Sequence, residues 1–522
     1  MAKTIKIQDF TGGWSTADPT VIQDNQLAVA TNVYYDQQGI LSTRKGIADF
    51  GGELVGATNA HSTYSTRLTT GVRILLAAGG EYMYRYNETT EVWDVIQSGL
   101  SGEEFSFVTY KDIVYWVNGT DDSTYYDGTT VTPAPLMLKG KYLVVENDVA
   151  YLSGVSTDPS SVFYTDANPA DLHSTLTALA SNDEYVNQDE GIITGLSFLG
   201  PILVVGKSNN TGVYTMNIFT SPDVTIEPID FDGDVASHRS FVNAENDLKF
   251  LSTRGVYSLA QRSGTSASYR AFANSDPIRK IINNVLNKDT TASIYYKKTN
   301  NVYFAVDQGG GGVNDTLLVY SVLVSEPGRF KYAWTLYENI NANDFTSYTD
   351  EDGETHLLYA DATRNQIVEM ETGFADNGAS INTKVRTKTF DFESPETWKT
   401  FPEVDLGGLI SKQETVTFKV NVDQVETSKT FTGEAFAIGD DADELPLGEE
   451  PLGEDPLGGG PVSSDGIQFF PFIQRRPLYA SGLRIYVQIE TNSSNSGLKI
   501  NKLNVPVESH DSDIFPINNI TI

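Results

Sequence analysis

Cysteine is absent from the 522 residues, and methionine, histidine and tryptophan are scarce, with five of each. Without cysteine the chain can have no disulfide framework, zinc–thiolate site or thiol nucleophile. The histidines form no His-x-x-x-His or His-Glu-x-x-His pair, which argues against a histidine-based metal site. Gly-x-Ser-x-Gly and Walker A patterns are missing as well. The sequence therefore nominates no catalytic residue and no cofactor, and it predicts a protein that is not an enzyme.

Long apolar runs and positive charge are also in short supply. No window approaches 18 consecutive apolar residues, so we expect no transmembrane helix, and the first residues lack the apolar stretch of a secretory signal. The chain has 36 Lys and Arg against 69 Asp and Glu, a formal net charge of −33. This balance disfavours a surface that binds nucleic acid through clustered Lys and Arg side chains. It fits both an acidic surface that keeps the protein soluble and an acidic wall past which DNA slides.

Tyrosine (27), phenylalanine (25) and glycine (44) are plentiful, as expected of strands joined by tight turns. One pattern recurs through residues 51–380: a short apolar strand, a turn, and a second strand that carries Tyr or Trp. Residues 74–78 followed by 82–86 are one example. The units recur at a spacing of roughly 35 to 50 residues, which is typical of propeller blades. We predict an all-β protein with an irregular β-propeller of about six or seven blades, although a pair of β-sandwiches could imitate the pattern.

The flanking regions differ from this repeat. Residues 1–50 are predicted to form an N-terminal arm, with a short helix over 27–30 capped by Asp24. Residues 381–522 contain strands that alternate at period two, which predicts a C-terminal β-sandwich. Within it, proline recurs every fifth residue from Pro446, so 434–462 is predicted to be an exposed loop.

Three shorter motifs lead to local predictions. One short helix is expected from Asp276, with an apolar stripe at Ile278, Ile281, Ile282, Val285 and Leu286. The glycine run 309–312 is predicted to be a flexible hairpin tip and not a phosphate loop, because no Lys-Ser or Lys-Thr follows it. Asp230, Asp232 and Asp234 place carboxylates at alternate positions, which makes them candidate Ca²⁺ ligands. No Glu closes the loop as in an EF-hand, so the sequence favours a plain acidic turn.

Segments 12–19, 22–27, 30–33 and 39–46, beginning with Gly12-Gly13-Trp14, carry a resemblance to a known family. The chain resembles the β-propeller tail hub or nozzle (tail tubular) proteins of short-tailed bacteriophages. The segment 275–278 and the segment 476–484 are similar as well, and the order of parts agrees over most of the chain.

This resemblance implies a structural virion protein, assembled in the host bacterial cytoplasm, that forms a ring of identical subunits, commonly six. Such a ring would contact the portal, the adaptor and the tail fibres, and its channel would close and then conduct DNA without sequence-specific binding. The arm and the C-terminal sandwich would pack together as its platform. The residues predicted to take part in assembly are Trp14, Arg44, Asp440, Pro446 and Pro451.

Two other functions remain open from the sequence. One is a carbohydrate-binding propeller that serves as a receptor-binding tail protein. The other is a propeller glycosidase, because glycoside hydrolysis needs only two suitably spaced carboxylates.

Overall fold

The architecture is described from a computed structural model. It covers residues 2–37, 40–135, 137–165, 182–186, 191–209, 212–218, 224–261, 269–326, 332–411, 414–432, 469–494 and 497–509. Strands dominate this part of the chain, so the predicted all-β class is confirmed. No helix in these ranges is both long and apolar enough to cross a membrane.

The chain divides into two compact units. We call Ala48–Val319 with Glu338–Met370 the propeller unit, and Met1–Ile47, Tyr320–Tyr337 and Glu371–Ile522 the two-sheet unit. Residues 320–337 and 371–380, predicted as part of the propeller, are grouped with the two-sheet unit.

The strands in chain order are as follows. The first five are β1 (Ala2–Ile7), β2 (Leu27–Thr31), β3 (Val33–Gln37), β4 (Ile40–Thr43) and β5 (Gly46–Glu53). Then come β6 (Ala60–Arg67), β7 (Arg73–Gly79), β8 (Tyr82–Asn87), β9 (Val92–Ser98), β10 (Ser106–Tyr110), β11 (Ile113–Val117), β12 (Thr124–Tyr126), β13 (Val131–Pro133), β14 (Tyr142–Glu146), β15 (Val149–Ser153), β16 (Ser161–Tyr164) and β17 (Asn182–Tyr185). The next are β18 (Ile193–Leu199), β19 (Ile202–Lys207), β20 (Val213–Asn217), β21 (Thr225–Pro228), β22 (Val242–Ala244), β23 (Asp247–Ser252), β24 (Gly255–Gln261), β25 (Tyr269–Ala273), β26 (Ala292–Tyr296), β27 (Asn301–Val306), β28 (Thr316–Ser321), β29 (Trp334–Glu338), β30 (Ala342–Thr349), β31 (Thr355–Asp361) and β32 (Gln366–Thr372). The last are β33 (Ala375–Asp376), β34 (Ala379–Thr387), β35 (Lys399–Ser411), β36 (Thr415–Val422), β37 (Val425–Thr432), β38 (Phe469–Gly482), β39 (Ile485–Ser493) and β40 (Leu498–Ser509).

In the described residues, the propeller unit contains five complete antiparallel sheets of four consecutive strands: β6–β9, β10–β13, β14–β17, β18–β21 and β22–β25. A sixth sheet begins with β26, β27 and β28, and a seventh has the order β5-β32-β31-β30. We number these sheets as blades 1 to 7. The count agrees with the predicted six or seven.

The second strand of each blade is the most deeply buried. β7, β15, β19 and β27 are almost entirely buried, on both faces of the strand. Such strands are expected to be continuous apolar runs, because each face packs against a neighbouring sheet. This is the physical origin of the repeated apolar segments in the sequence.

Neighbouring blades share apolar cores around a closed ring. Separate clusters join blades 1 and 2, 2 and 3, 3 and 4, and 4 and 5. First strands β22, β26 and β30 contact one another in turn, and β30 contacts β6. A further cluster packs blade 7 against blade 1, with Leu358 and Ile367 against Leu75 and Trp93. The last blade therefore meets the first, as a propeller requires.

The ring is closed by a strand from the start of the chain. Residues 48–53 of β5 lie beside β32, so blade 7 combines one N-terminal strand with three strands from 342–372. The Leu54 N–H donates to the Asn365 carbonyl oxygen at 2.8 Å, and Arg364 pairs with Asp49 at 3.0 Å. Residues 48–50, predicted as the end of the arm, are instead part of the propeller.

Helical structure is limited to short turns in the described residues. The predicted helix at Asp276 is a 3₁₀ turn, Asp276–Ile278, followed by α1 (Arg279–Asn284). Ile278, Ile282 and Val285 are buried as predicted, but Leu286 is 67% exposed. The other 3₁₀ turns are His238–Ser240 and Lys288–Thr290. The helix predicted over 27–30 is wrong, since these residues form β2, which pairs with β34.

The two-sheet unit combines strands from both ends of the chain. One sheet has the order β3-β4-β40-β35-β38, with β1 also paired to β40. In the other, β34 pairs with β2 and β39, and β36 pairs with β39 and β37. β36 contacts β38 and β3 contacts β34, so the two sheets pack together as in the predicted sandwich. The expected packing of the arm with the C-terminal segment is thus present.

Two adjacent glycines in β35 provide a test of this packing. At Gly408 an added Cβ would lie 1.9 Å from the Lys499 carbonyl oxygen, whereas at Gly407 the nearest atoms are 3.6 Å away. We expect Gly408→Ala to lower the free energy of unfolding by about 2 kcal/mol or more, because backbone must move to relieve the overlap. Gly407→Ala, the matched control, should change it by less than about 1 kcal/mol. Calorimetric melting of both variants measures the difference, and equal effects would contradict the assigned register.

Candidate functional site

A short turn between blades 4 and 5 carries the most connected polar side chains of the propeller unit. It is the 3₁₀ turn His238–Ser240, and Ser237 caps it by accepting the Arg239 N–H at 3.2 Å. The Ser240 hydroxyl donates to the Ser237 carbonyl oxygen at 2.7 Å and accepts the Leu251 N–H at 3.3 Å. These bonds fix the direction of the two preceding side chains, His238 and Arg239, which we call the axial plug.

Arg239 joins the first strands of distant blades. Its Nη1 donates to the Asn343 carbonyl oxygen in blade 7 at 2.7 Å and to the His61 carbonyl oxygen in blade 1 at 3.3 Å. Its Nη2 forms an ion pair with Glu104, just before blade 2. Its own carbonyl oxygen accepts the Ser293 hydroxyl of blade 6 at 2.9 Å. Because the first strands surround the axis, a side chain that comes from the connection before blade 5 and reaches blades 7 and 1 must lie across it.

His238 contacts blades 2, 3 and 4. Its Nδ1 accepts the Leu196 N–H of blade 4 at 3.2 Å, and its Nε2 lies 3.4 Å from the Ser106 hydroxyl of blade 2. Its ring centre is 4.9 Å from that of Tyr142 in blade 3. Burial, together with the charge of Arg239, lowers the pKa of His238 to about 4. The imidazole is therefore neutral at pH 7, with its proton on Nε2.

A cavity of about 410 Å³ opens beside the plug. Its polar lining includes Glu146, Ser197 and Asn243, whose side chains have no hydrogen-bond partner among the described residues. Asp344 also lines it and accepts the Thr63 and Phe345 N–H groups, each at 2.9 Å. Burial raises the pKa of Asp344 to about 6. With the rings of Phe198 and Phe241, this lining suits a small hydroxyl-rich ligand.

The three aspartates predicted as Ca²⁺ ligands have separate partners. Asp234 is buried and accepts the Ser252 hydroxyl and the Thr253 N–H, both at 2.8 Å. Asp232 and Asp230 are exposed and lie 3.2 Å from Arg254 and 3.9 Å from Arg270. No group of three His, Asp or Glu side chains in the described ranges could hold a metal ion. The three carboxylates therefore bind different partners and are not brought together at one point.

The side chains of Trp14 and Arg44, predicted to take part in assembly, contact their own chain. The Trp14 indole N–H donates to the Ala28 carbonyl oxygen at 3.2 Å. Arg44 is 1% exposed, pairs with both carboxylate oxygens of Asp376, and donates to Asn32 Oδ1 at 2.9 Å. Neither is exposed for contact with another subunit, so any role of theirs in assembly must come through the fold of the arm. Asp440, Pro446 and Pro451 lie outside the described residues.

The glycine run 309–312 is held by carboxylates and does not project as a free tip. The buried Asp307 accepts the N–H groups of Gly310 and Gly312, at 2.5 and 2.7 Å. Asp315 accepts the Gly309 N–H at 2.9 Å. The backbone N–H groups that would bind a phosphate are therefore used within the chain, which agrees with the exclusion of a phosphate loop. The predicted flexibility needs correction, because two aspartates fix the loop.

A second polar cluster lies in blade 7 around His356. Its Nδ1 is 2.6 Å from Glu369 Oε1 and its Nε2 is 3.2 Å from Asp350 Oδ2. The hydrogen bond to Glu369, with that to Asp350, raises the pKa of His356 to about 9. The imidazole is therefore charged at pH 7 and links β31 to β32.

Comparisons with known proteins give only distant likenesses. No protein family matches the chain, and no curated protein matches it. A chain of the Mitotic Checkpoint Complex is 12% identical, with a TM-score of 0.38, covering 63% of this chain and 92% of that one. YCF48 from Cyanidioschyzon merolae is 8% identical, with a TM-score of 0.37, covering 62% of this chain and 99% of that one. The computationally designed Ika8 protein is 10% identical, with a TM-score of 0.35, covering 62% of this chain and 100% of that one. Likenesses this weak carry no argument about function, and the propeller is evident from the seven sheets themselves.

Replacing Arg239 tests the axial plug. We expect Arg239→Ala to lower the free energy of unfolding by about 3 kcal/mol, since it leaves two buried carbonyl groups unpaired and removes the partner of Glu104. Arg254→Ala, which breaks an exposed pair with Asp232, should cost less than about 1 kcal/mol. Urea unfolding of the full chain measures both. Equal, small losses would show that the plug does not hold the blades together.

The charged state of His356 predicts a pH dependence. The pKa of this group is about 9 in the folded protein and 6.5 when unperturbed, so the folded state binds more protons between these values. Its stabilising effect is complete below about pH 6.5 and is lost as the pH rises through 9. The stability difference between the unmodified chain and His356→Gln should therefore shrink from pH 6 to 9.5 in thermal melts. Glu369→Gln should weaken the same pH dependence; a difference constant over this range would contradict a charged imidazole.

Proposed function

We propose that this chain is a structural, non-enzymatic subunit of a bacteriophage tail, a hub or nozzle protein that assembles into a ring around the DNA path. The observation that carries the proposal is the combination of parts: a closed seven-bladed propeller, inserted in a chain whose two ends form a separate two-sheet unit. This is the order of parts that the resemblance to tail hub proteins implies.

The axial plug supports a scaffolding role for the propeller. Arg239 and His238 fill the axis with contacts to blades 1, 2, 3, 4, 6 and 7, and the plug itself comes from the connection before blade 5. A polymer as wide as DNA cannot pass through an axis that a guanidinium group bridges. If the protein conducts DNA, the channel therefore lies between subunits and not within one propeller.

The polar side chains support a role without catalysis. Two strongly perturbed groups of the described residues, His61 and His238, are buried and hydrogen-bonded within the fold. Their low pKa values come from burial. This is the pattern of structural polar groups and not of a nucleophile held beside a base.

The cavity beside the plug favours a second candidate function, carbohydrate binding by a receptor-binding tail protein. Its unpartnered Glu146, Ser197 and Asn243 can accept and donate hydrogen bonds to sugar hydroxyl groups, and two phenylalanine rings offer stacking surfaces. A glycosidase is less well supported, since Asp232, one acid that could serve it, is exposed and lies beside Arg254.

Mass analysis of the purified full chain, alone and mixed with tail extracts of its source, tests the main proposal, together with negative-stain imaging. We expect a closed ring with a central channel, or recruitment to particles that contain a portal. A stable monomer that ignores virion components would overturn the proposal. Glycan-array binding by that monomer, lost in Glu146→Gln, would establish the second candidate in its place.

A further inference from the structure

The two-sheet unit contains a pocket whose charge is opposite to that of the chain as a whole. It has a volume of about 450 Å³ and lies where β34, the turn after β36 and the start of β39 meet. Its lining is Pro19, Thr20, Arg386, Thr389, Asn421, Asp423, Gln424, Leu483, Arg484 and Tyr486. Two guanidinium groups thus share one concave site on a protein with nearly twice as many acids as bases.

Arg386 is held in place but not paired. Its guanidinium carbon lies 3.8 Å from the centre of the Tyr486 ring, so the two planes are in contact. Its Nε is buried and has no hydrogen-bond partner among the described residues. A buried donor without an acceptor costs free energy, so an acceptor supplied by a ligand would stabilise this site.

Arg484 supplies the second positive group. Its side chain is exposed, and in the described part of the chain it forms no ion pair. The backbone N–H groups of Leu483 and Arg484 donate to Asp423, at 2.6 and 2.9 Å, so both oxygens of the one carboxylate in the lining are already bound. The site keeps an excess of one positive charge.

Further donors surround the two arginines. The side chains of Thr389 and Gln424 have no partner in the described ranges, and the Asn421 amide oxygen accepts the Gln424 N–H at 2.9 Å, which leaves the Asn421 amide N–H₂ free. Lys384 lies two residues before Arg386 on β34, and Lys388 follows the end of the strand and pairs with Asp24 at 2.9 Å. Planar guanidinium groups with neighbouring amide and hydroxyl donors are suited to carboxylate groups.

The chain itself carries a segment rich in the carboxylate groups that would complement the two arginines. Residues 440–455 contain eight Asp and Glu and no Lys or Arg. The pocket adjoins Gln424, and the eight residues of β37 lead away from it over about 27 Å. Eight more residues lead from Thr432 to Asp440, at most about 29 Å of chain. Asp440 would reach the pocket of its own chain only by running back fully stretched, so another copy is the better source for the start of the segment.

We propose that the pocket formed by Arg386, Arg484 and Tyr486 binds the acidic segment 440–455 of a second copy of this chain. Carboxylate groups of the segment lie between the two guanidinium groups, and one of them accepts the Nε hydrogen of Arg386. The proposal rests on the proposed self-assembly for its second copy, but the pocket can be tested without a ring.

The direct test is binding of a fluorescein-labelled peptide of residues 438–457 to the full chain, followed by anisotropy. To leave the pocket empty, the protein carries amides in place of all eight acids of residues 440–455. We expect saturable binding that weakens at least about tenfold in Arg386→Gln/Arg484→Gln. The matched control is Lys429→Gln/Arg475→Gln, which removes the same charge from exposed positions of the same unit and should change binding less than about twofold.

Three results would overturn the assignment. One is an equal loss in both double variants, which indicates general charge attraction. Another is undiminished binding of a peptide whose acids are all amides. The third is displacement of the label by single-stranded DNA but not by unlabelled peptide, which indicates a phosphate site.

Assembly separates this proposal from the proposed function. If the unmodified chain forms rings and Arg386→Gln/Arg484→Gln forms them at the same protein concentration, the pocket proposal fails and the ring stands. If no ring forms but peptide binding depends on the two arginines, the pocket stands and the tail-hub proposal fails. Unchanged melting temperatures of the double variants exclude loss of fold as the cause.

Discussion

Burial of both faces of every blade is the constraint on which the propeller unit depends. The second strands, such as β7 and β27, are apolar on both sides, so each sheet needs a neighbour on either face. Only a closed ring gives each of the seven sheets a neighbour on both faces. Closure of the ring brings residues 48–53 beside β32. Because the closing strand and the rest of blade 7 are about 290 residues apart in sequence, the ring cannot complete until nearly the whole propeller has folded.

Closure in turn creates an axis that must be filled. The first strands direct polar backbone and side chains toward it, and carbonyl groups such as those of His61 and Asn343 need donors there. Arg239 supplies them from a single side chain, and its charge is balanced by Glu104 and lies near Asp344. A guanidinium group has enough donors in one plane to serve several blades at once, which a lysine ammonium group with a single nitrogen could not do.

The parts predicted from the sequence are those with a local signal. The apolar second strands and the stripe at Ile278, Ile282 and Val285 are predicted from the spacing of apolar residues, and both appear in the structure. The axial plug has no such signal, since Arg239 binds groups 104 and 178 residues away and nothing beside it in sequence marks it. The helix expected over 27–30 failed for a related reason: pairing with β34, more than 350 residues later, outweighs the local preference.

The large excess of acids has a partly structural cause. Asp361 accepts the Thr363 N–H, and Asp307 holds the glycine run. Asp234 and Asp423 accept backbone N–H groups from turns between other strands. A carboxylate is the strongest acceptor for turn N–H groups, so a protein with some forty strands uses many of them. Net charge alone is therefore poor support for a repelling channel wall. Residues 440–455 differ in the density of their acidic side chains, since eight acids in sixteen positions exceed what turns require. The negative charge of such a segment is available for binding a partner.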